Sequence, residues 1–223
     1  MEFNLSPLIL TFKLAIITTF FLLLIGLPLA YWLTYWKNKS KYLLQTLVSM
    51  PLVLPPTVIG FYLLIAFNPE NFFGRFLLSV FDIQLVFSFE GLVVASMIYS
   101  LPFMVNPIQA GLQSLPASIM EASYTLGKSK LKTFTHVLIP NIKPSLITGI
   151  IISFAHTVGE FGVILMIGGS IPGKTRVASI AIYDEVEALN YDNAHYYSLI
   201  LFAITFVILL AVYIFNRRYL KAF

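Results

Sequence analysis

Apolar residues run along this chain in blocks longer than a soluble helix or strand requires. Five blocks, at about 8–36, 47–67, 91–112, 142–167 and 196–215, are each long enough to cross a bilayer, where a helix needs about 20 predominantly apolar residues. They predict an all-α, polytopic membrane protein with about five transmembrane helices, built as a single transmembrane domain over 1–223. The longest polar stretch, 113–141, separates the third and fourth spans. A sixth apolar run, FLLSVFDIQLVFSF from Phe76 to Phe89, is short and carries Asp82, so it is expected to lie at the interface or to re-enter. The first span lacks a basic leader and exceeds the apolar core of about 7 to 15 residues found in cleaved signal peptides. It is expected to stay in the mature protein.

Charge orients these spans. Lys37, Lys39 and Lys41 follow the first, and Lys128, Lys130, Lys132 and Lys143 accompany Glu121 after the third. Both loops should be cytoplasmic, as should the tail with Arg217, Arg218 and Lys221. The second loop holds Glu70, Arg75, Asp82 and Glu90. The fourth holds Lys174 and Arg176 against Asp184, Glu185, Glu187 and Asp192. These two face outward, and with five spans the order alternates without conflict: N-terminus out, C-terminus in. Tyr31, Trp32, Tyr35, Trp36, Tyr196, Tyr197, Tyr213 and Phe215 sit where interfacial aromatic belts belong. Lys13, early in the first span, can snorkel to a headgroup.

Composition narrows the chemistry. The chain is 58% hydrophobic and 11% charged, with a mean hydropathy of +0.86, whereas soluble domains are about a quarter charged. The lipid bilayer is therefore its first partner. With no cysteine there is no disulfide framework, thiolate metal site or cysteine nucleophile. His136, His156 and His195 are scattered over different segments, so no metal site is expected. No nucleophile with base and orienter is recognisable, so no catalytic residue is assigned. The lysines are explained by topology, and nothing points to nucleic acid.

One motif competes with this picture. GGSIPGKT, Gly168 to Thr175, fits the phosphate-loop pattern G-x-x-x-x-G-K-[ST]. Such a loop needs a strand before it and a helix after it. This one follows a membrane helix and faces outward, so it is read as a Gly/Pro turn leaving the bilayer. No cofactor is expected to bind this chain.

The 113–141 loop carries more information. Pro116 suits the first turn of a helix, Ser118 and Glu121 have the spacing of a capping box, and Ile119, Ala122 and Leu126 share one face. Gly127 can end the helix in the left-handed conformation. A short helix, a glycine turn, a basic helix and Pro140 would project as a knob. Glu121, Ala122, Ser123, Gly127, Val137, Ile139 and Pro140 then resemble the "EAA" motif of bacterial ABC-importer permeases, E-A-A-x-x-x-G-x9-I-x-L-P. Ser123 replaces the third Ala, Val137 the Ile and Ile139 the Leu. MPLVLPPTVIGFYLL from Met50, SLPFMVNPIQAGL from Ser100 and the stretch from Val158 to Ala194 are similar to the ModB-like molybdate permeases, and GEFG recurs in sulfate and thiosulfate permeases.

That resemblance implies the type I importer permease fold, working as a second copy paired with the first, two ATP-binding subunits on the cytoplasmic side and an external oxyanion-binding protein. It implies that Glu121, Ala122, Ser123, Leu126 and Gly127 couple the permease to its ATPases, which use the ATP and magnesium. Asp184, Glu185 and Glu187 would be a solvated face, in a region that can meet the binding protein.

Inside the membrane, Glu160 is the only acid in an expected span, with His156 one helical turn before it. An intramembrane ionisable group is a functional candidate. A carboxylate exposed to an anion path would repel the cargo, so Glu160 is expected to turn inward and hydrogen-bond His156 or nearby backbone. Pro51, Pro55 and Pro56 should interrupt the second span, and Pro102 and Pro107 the third. Thr57 and Asn106 would offer neutral polar groups to a path between these bent helices.

Overall fold

A computed structural model describes residues 4–220, with side chains to residue 210. Lys221 of the basic tail lies outside the described residues, as do the side chains of Tyr213, Phe215, Arg217 and Arg218. All regular structure among the described residues is helical. The first helix, α1 (Ser6–Tyr35), is unbroken across Pro28. At 1.5 Å per residue it is about 45 Å long, more than a hydrocarbon core of about 30 Å.

Prolines then shape the second apolar block. Helix α2 (Lys41–Ser49) runs into a 3-10 turn at Met50–Leu52, and α3 (Pro56–Phe67) leaves at 112° to that segment. Pro55 sits at φ −54°, ψ 136°, an extended conformation that stops one helix just before Pro56 opens the next. With 12 residues, α3 spans only about 18 Å. The second crossing is thus a bent pair rather than a straight rod.

Helix α4 (Phe72–Phe81) has 10 residues, about 15 Å, half of what a crossing needs. It exposes Phe72, Phe73, Phe76 and Phe81 and ends at Asp82 in the left-handed conformation. The following residues turn inward: Leu85 and Val86 are buried, and the Phe87 amide donates to the Ile167 carbonyl at 2.9 Å.

Helix α5 (Phe89–Ser114) starts with Ser88 accepting from the Gly91 amide. It passes Pro102 and Pro107 without ending, so these two prolines do not interrupt the third span as Pro55 and Pro56 do the second. The loop beyond holds α6 (Ala117–Thr125), α7 (Lys130–Thr133), a π-turn at Phe134–Leu138 and α8 (Ile139–Asn141). Helix α9 (Lys143–Val158) leaves α7 to α8 at 76°. The fourth apolar block is not continuous: α9 is capped at Gly159, and α10 (Gly162–Gly168) begins after a three-residue break. Beyond the GGSIPGKT turn come α11 (Ala178–Glu187) and α12 (Tyr191–Leu220).

Two apolar cores hold these helices. Towards the outer end, Leu10 and Leu14 of α1, Ile59 and Phe67 of α3, Leu92 of α5 and Val163, Ile164 and Ile167 of α10 pack together. Towards the cytoplasmic end, Leu22, Ala30 and Leu33 of α1, Met104, Val105, Ile108 and Leu112 of α5 and Leu138 and Ile142 form the second. Between them lies a layer of buried hydroxyls: Thr18 and Thr19 on α1, Ser96 and Ser100 on α5, Ser153 and Thr157 on α9.

Helices α3 and α10 cross closely at glycines, as membrane helices do where small residues let backbones approach. A Cβ on Gly60 would stand 2.7 Å from the Met166 Cβ and 3.1 Å from the Val163 Cα, and one on Gly162 would stand 2.9 Å from the Pro56 Cβ. At Gly159 the nearest atom would be 3.8 Å away. Gly60→Leu is therefore expected to destabilise the protein by about 1–3 kcal/mol, seen as a lower unfolding temperature of purified protein in detergent. Gly159→Ala should leave that temperature close to wild type.

Candidate functional site

Two places collect the candidate residues. The first is the cytoplasmic knob. Helix α6 begins at Ala117 with Pro116 before it and no side-chain cap. The expected capping box does not form, because Ser118 already lies inside the first turn, where its hydroxyl cannot reach back over the amides it would cap. The C-terminus follows expectation. Gly127 is left-handed at φ 73°, its amide donates to the Tyr124 carbonyl at 2.9 Å, and the Lys128 amide donates to the Ser123 carbonyl at 3.1 Å. This is the paired bonding of a Schellman end. No atom lies within 4 Å of a Cβ built on Gly127, so conformation rather than space calls for glycine there.

Ser123 is the buried residue of α6. Its Oγ lies 2.9 Å from the Thr133 Oγ1, and the two residues are 4% and 1% exposed. The position that departs from the motif's alanine thus ties α6 to α7. Glu121 and Ala122 remain exposed, and Leu126 and Leu131 present bare apolar side chains at 77% and 71% exposure. The base of the knob is fixed to the bundle. Phe134 packs on Tyr31 with ring centroids 4.7 Å apart, and Leu138 and Ile142 enter the cytoplasmic core.

The second place is a cavity of about 550 Å³ at the break between α9 and α10, lined in part by Pro56, Thr57, Tyr99, His156, Glu160 and Gly162. It joins Pro56, Thr57, His156 and Glu160 from three separate segments, with Pro55 adjoining as the cap of α3. Asn106 stands on α5 outside this lining.

The expected contact between Glu160 and His156 is absent. Their one-turn spacing assumed a continuous helix, and α9 ends between them. His156 Nδ1 instead lies 2.9 Å from the Ser100 Oγ, which is also 3.2 Å from the Thr157 Oγ1. Phe103 stacks on the imidazole at 4.0 Å between centroids. Glu160 is 4% exposed, and neither carboxyl oxygen has a hydrogen-bond partner among the described residues. Ser96 neighbours that carboxyl, but its hydroxyl makes no bond of ordinary geometry either. What Glu160 does contribute is its backbone carbonyl, which accepts from the Ser179 Oγ at 2.6 Å.

The outer turn also differs in detail from expectation. Thr175 is buried, its Oγ1 donating to the Gly168 carbonyl at 2.8 Å and accepting from the Ile171 amide at 3.0 Å. The hydroxyl that a phosphate loop would turn to magnesium is here used to close the turn. Asp184 and Glu185 are not a free solvated face: Arg176 Nε lies 2.9 Å from the Asp184 carboxylate and Nη2 3.9 Å from that of Glu185. Thr133 and Ser179 were not singled out by sequence, nor were the bonding partners of Ser123 and Thr175, which lie on another helix or across a turn.

A bundle with two broken crossings, a polar middle layer and a rigid cytoplasmic knob is the architecture of a multispan transport permease. The chain belongs to the family of binding-protein-dependent transport system inner membrane components, which it matches over residues 22–222. It is 43% identical to the molybdenum transport system permease protein ModB of Azotobacter vinelandii over 98% of this chain and 96% of that one. It is 32% identical to the sulfate transport system permease protein CysT of Salmonella typhimurium over 94% of this chain and 75% of that one. Its fold is similar to a bacterial ABC transporter involved in the import of alginate, with a TM-score of 0.81, 17% identity and coverage of 98% and 80% of the two chains. The chain is thus an ABC importer permease of the inner membrane, a transport component and not itself a catalyst.

The buried hydroxyl pair should support the knob. A neutral hydrogen bond contributes about 1 kcal/mol, so a double-mutant cycle of Ser123→Ala and Thr133→Val, read by thermal unfolding of the purified permease, is expected to return a coupling near that size.

Proposed function

We propose that this chain carries molybdate, and with it tungstate, into the cytoplasm as one of two permease copies, fed by an external oxyanion-binding protein and driven by two ATP-hydrolysing subunits. The 43% identity to a molybdenum transport permease over nearly all of both chains is the observation that carries the cargo. Sulfate or thiosulfate is the second reading, favoured by the 32% identity to a sulfate permease.

In this reading the knob is the mechanical input. Leu126 and the exposed face of Glu121 and Ala122 seat in a cleft of the ATPase. The Ser123 to Thr133 bond and the Schellman end at Gly127 keep α6 from yielding when that cleft moves. Phe134 on Tyr31 and Leu138 and Ile142 in the core pass the displacement to α1 and α5. ATP and magnesium act on the partner, and this chain supplies the lever.

The cavity at the α9 to α10 break is the part of the path through which the anion would pass. Thr57 and Tyr99 bring hydroxyls and His156 a ring nitrogen, both carboxyl oxygens of Glu160 are buried, and the lining holds no lysine or arginine. A path without fixed cations binds a dianion weakly, which suits passage, since release must be as easy as entry. Selection is then left to the binding protein.

Uptake of labelled molybdate at trace concentration, in cells lacking the gene and complemented with wild type or Gly127→Pro, tests the assignment. Wild type is expected to restore uptake that excess tungstate blocks and excess sulfate does not. Gly127→Pro, which cannot adopt φ 73°, should accumulate in the membrane and fail to transport. Full competition by sulfate would replace the cargo, and normal uptake by the variant would remove the knob from the mechanism. In the same assay Glu160→Gln should transport at about the wild-type rate, because no Lys or Arg lies at ion-pair distance from the carboxyl among the described residues. Loss of uptake at normal accumulation would mean that its charge is used.

A further inference from the structure

A groove of about 520 Å³ lies between α1 and α5, its lining separate from that of the cavity at the α9 to α10 break. Its upper end is charged. Lys13 lies with its Nζ 4.7 Å from the centre of the Phe89 ring, and Glu90, in the first turn of α5, shares the same lining. Both side chains are exposed, and they form no ion pair with each other within 4.0 Å. Below them the groove is apolar: Ile17 and Phe21 continue the Lys13 face of α1, and Val94 and Met97 continue the Glu90 face of α5.

The depth of this groove in the bilayer follows from helix geometry. Trp32 and Trp36 stack at 4.4 Å between centroids near the cytoplasmic end of α1, a belt position. Lys13 precedes Trp32 by about 19 residues, or roughly 29 Å of helix, which matches a hydrocarbon core of about 30 Å. Lys13 and Glu90 therefore stand at the outer headgroup level. From Lys13 to Phe21 the groove descends about 12 Å into the acyl region. Both helices run inward from this level, so the charged pair lies above the apolar channel.

We infer that this groove is a phospholipid site selective for a headgroup carrying both a phosphate and a primary ammonium, with phosphatidylethanolamine as its occupant in the outer leaflet. The Lys13 ammonium takes the phosphate, the Glu90 carboxylate takes the headgroup ammonium, and an acyl chain fills the channel between Ile17, Phe21, Val94 and Met97. Lysine alone would accept any phospholipid. The carboxylate beside it disfavours a net anionic headgroup, and it asks for an N–H donor that a quaternary choline lacks. A lipid so held bridges the outer ends of α1 and α5, whichever anion is carried.

The test is native mass spectrometry of the purified importer, released from micelles supplemented with equal amounts of phosphatidylethanolamine, phosphatidylglycerol and phosphatidylcholine. Wild type is expected to retain phosphatidylethanolamine about fivefold over either rival, the equivalent of one headgroup contact worth about 1 kcal/mol. Glu90→Gln should bring the ratio over phosphatidylglycerol to about one while total retention persists. Lys13→Gln should lower retention of all three. Both positions are exposed, and an unchanged unfolding temperature would confirm that each variant is folded. Equal retention of the three lipids by wild type would overturn the site, as would an unchanged ratio in Glu90→Gln. Crosslinks from Lys13 to a second permease chain would overturn it too, since the groove would then hold protein. None of these readouts depends on molybdate uptake, so the failure of one assignment leaves the other standing.

Discussion

Every break in a membrane helix releases backbone groups that lipid cannot satisfy, each at a cost of several kcal/mol, and this protein breaks its helices repeatedly. The rest of the structure depends on how those groups are met. At the α9 to α10 break the Ser179 hydroxyl of α11 caps the Glu160 carbonyl. At the end of α10, Thr175 serves both the Gly168 carbonyl and the Ile171 amide. The start of α11 is served from far along the chain, since the Ala178 amide donates to the Thr11 Oγ1 of α1 at 2.8 Å. The start of α5 uses Ser88, which accepts from the Gly91 amide and donates to the Leu85 carbonyl. Hydroxyls suit this role, because one short side chain can donate and accept at once without bringing charge into the membrane.

These caps explain why the breaks fall where they do and what they make room for. A continuous helix from 143 to 168 would carry Glu160 on a uniform cylinder and leave no recess beside it. Ending α9 at Gly159 and restarting at Gly162 lets α10 swing against α3 at the glycine crossing, and the gap becomes the cavity between Thr57, Tyr99 and His156. The cavity adjoins the hydroxyl layer that separates the two apolar cores. The outer core binds α10 and α3 to the outer halves of α1 and α5, and the cytoplasmic core binds the inner halves of the same two helices to the root of the knob. Both α1 and α5 cross this layer unbroken and tie the two cores together.

The class of the protein was open to sequence because hydrophobic block length and lysine placement are one-dimensional properties. The knob was legible for a related reason: Gly127 and its Schellman bonds are local, so a glycine at the end of an apolar-faced helix carries the signal by itself. The breaks were only half legible. Pro55 and Pro56 announce the first by removing amides. Gly159, Glu160 and Phe161 announce the second only through glycine, which membrane helices often contain without stopping. The pairing of Glu160 with His156 was misjudged for that reason, since a one-turn spacing has meaning only within an unbroken helix. The capping box failed by a smaller margin: Pro116 starts α6 so early that Ser118 falls inside the first turn. The partnerships of Ser123, Thr133, Thr175 and Ser179 are tertiary or span a turn, and no periodicity marks them.

The exchange of alanine for Ser123 in the motif is the clearest case of a departure that keeps the role. At this position the side chain is buried against α7, so a residue there must be small and must leave no orphaned polar atom. Alanine meets both demands with a methyl group. Serine meets them only if its hydroxyl finds a partner, and Thr133, ten residues on and itself buried, provides one at 2.9 Å. The two positions are therefore a coupled choice: with valine or alanine at 133, serine at 123 would be a liability, and with Thr133 in place it adds a lateral bond that alanine cannot make. A knob with the proposed coupling role gains from such a bond, because the bare exposed faces at Leu126 and Leu131 leave α6 and α7 little apolar contact of their own to hold them together.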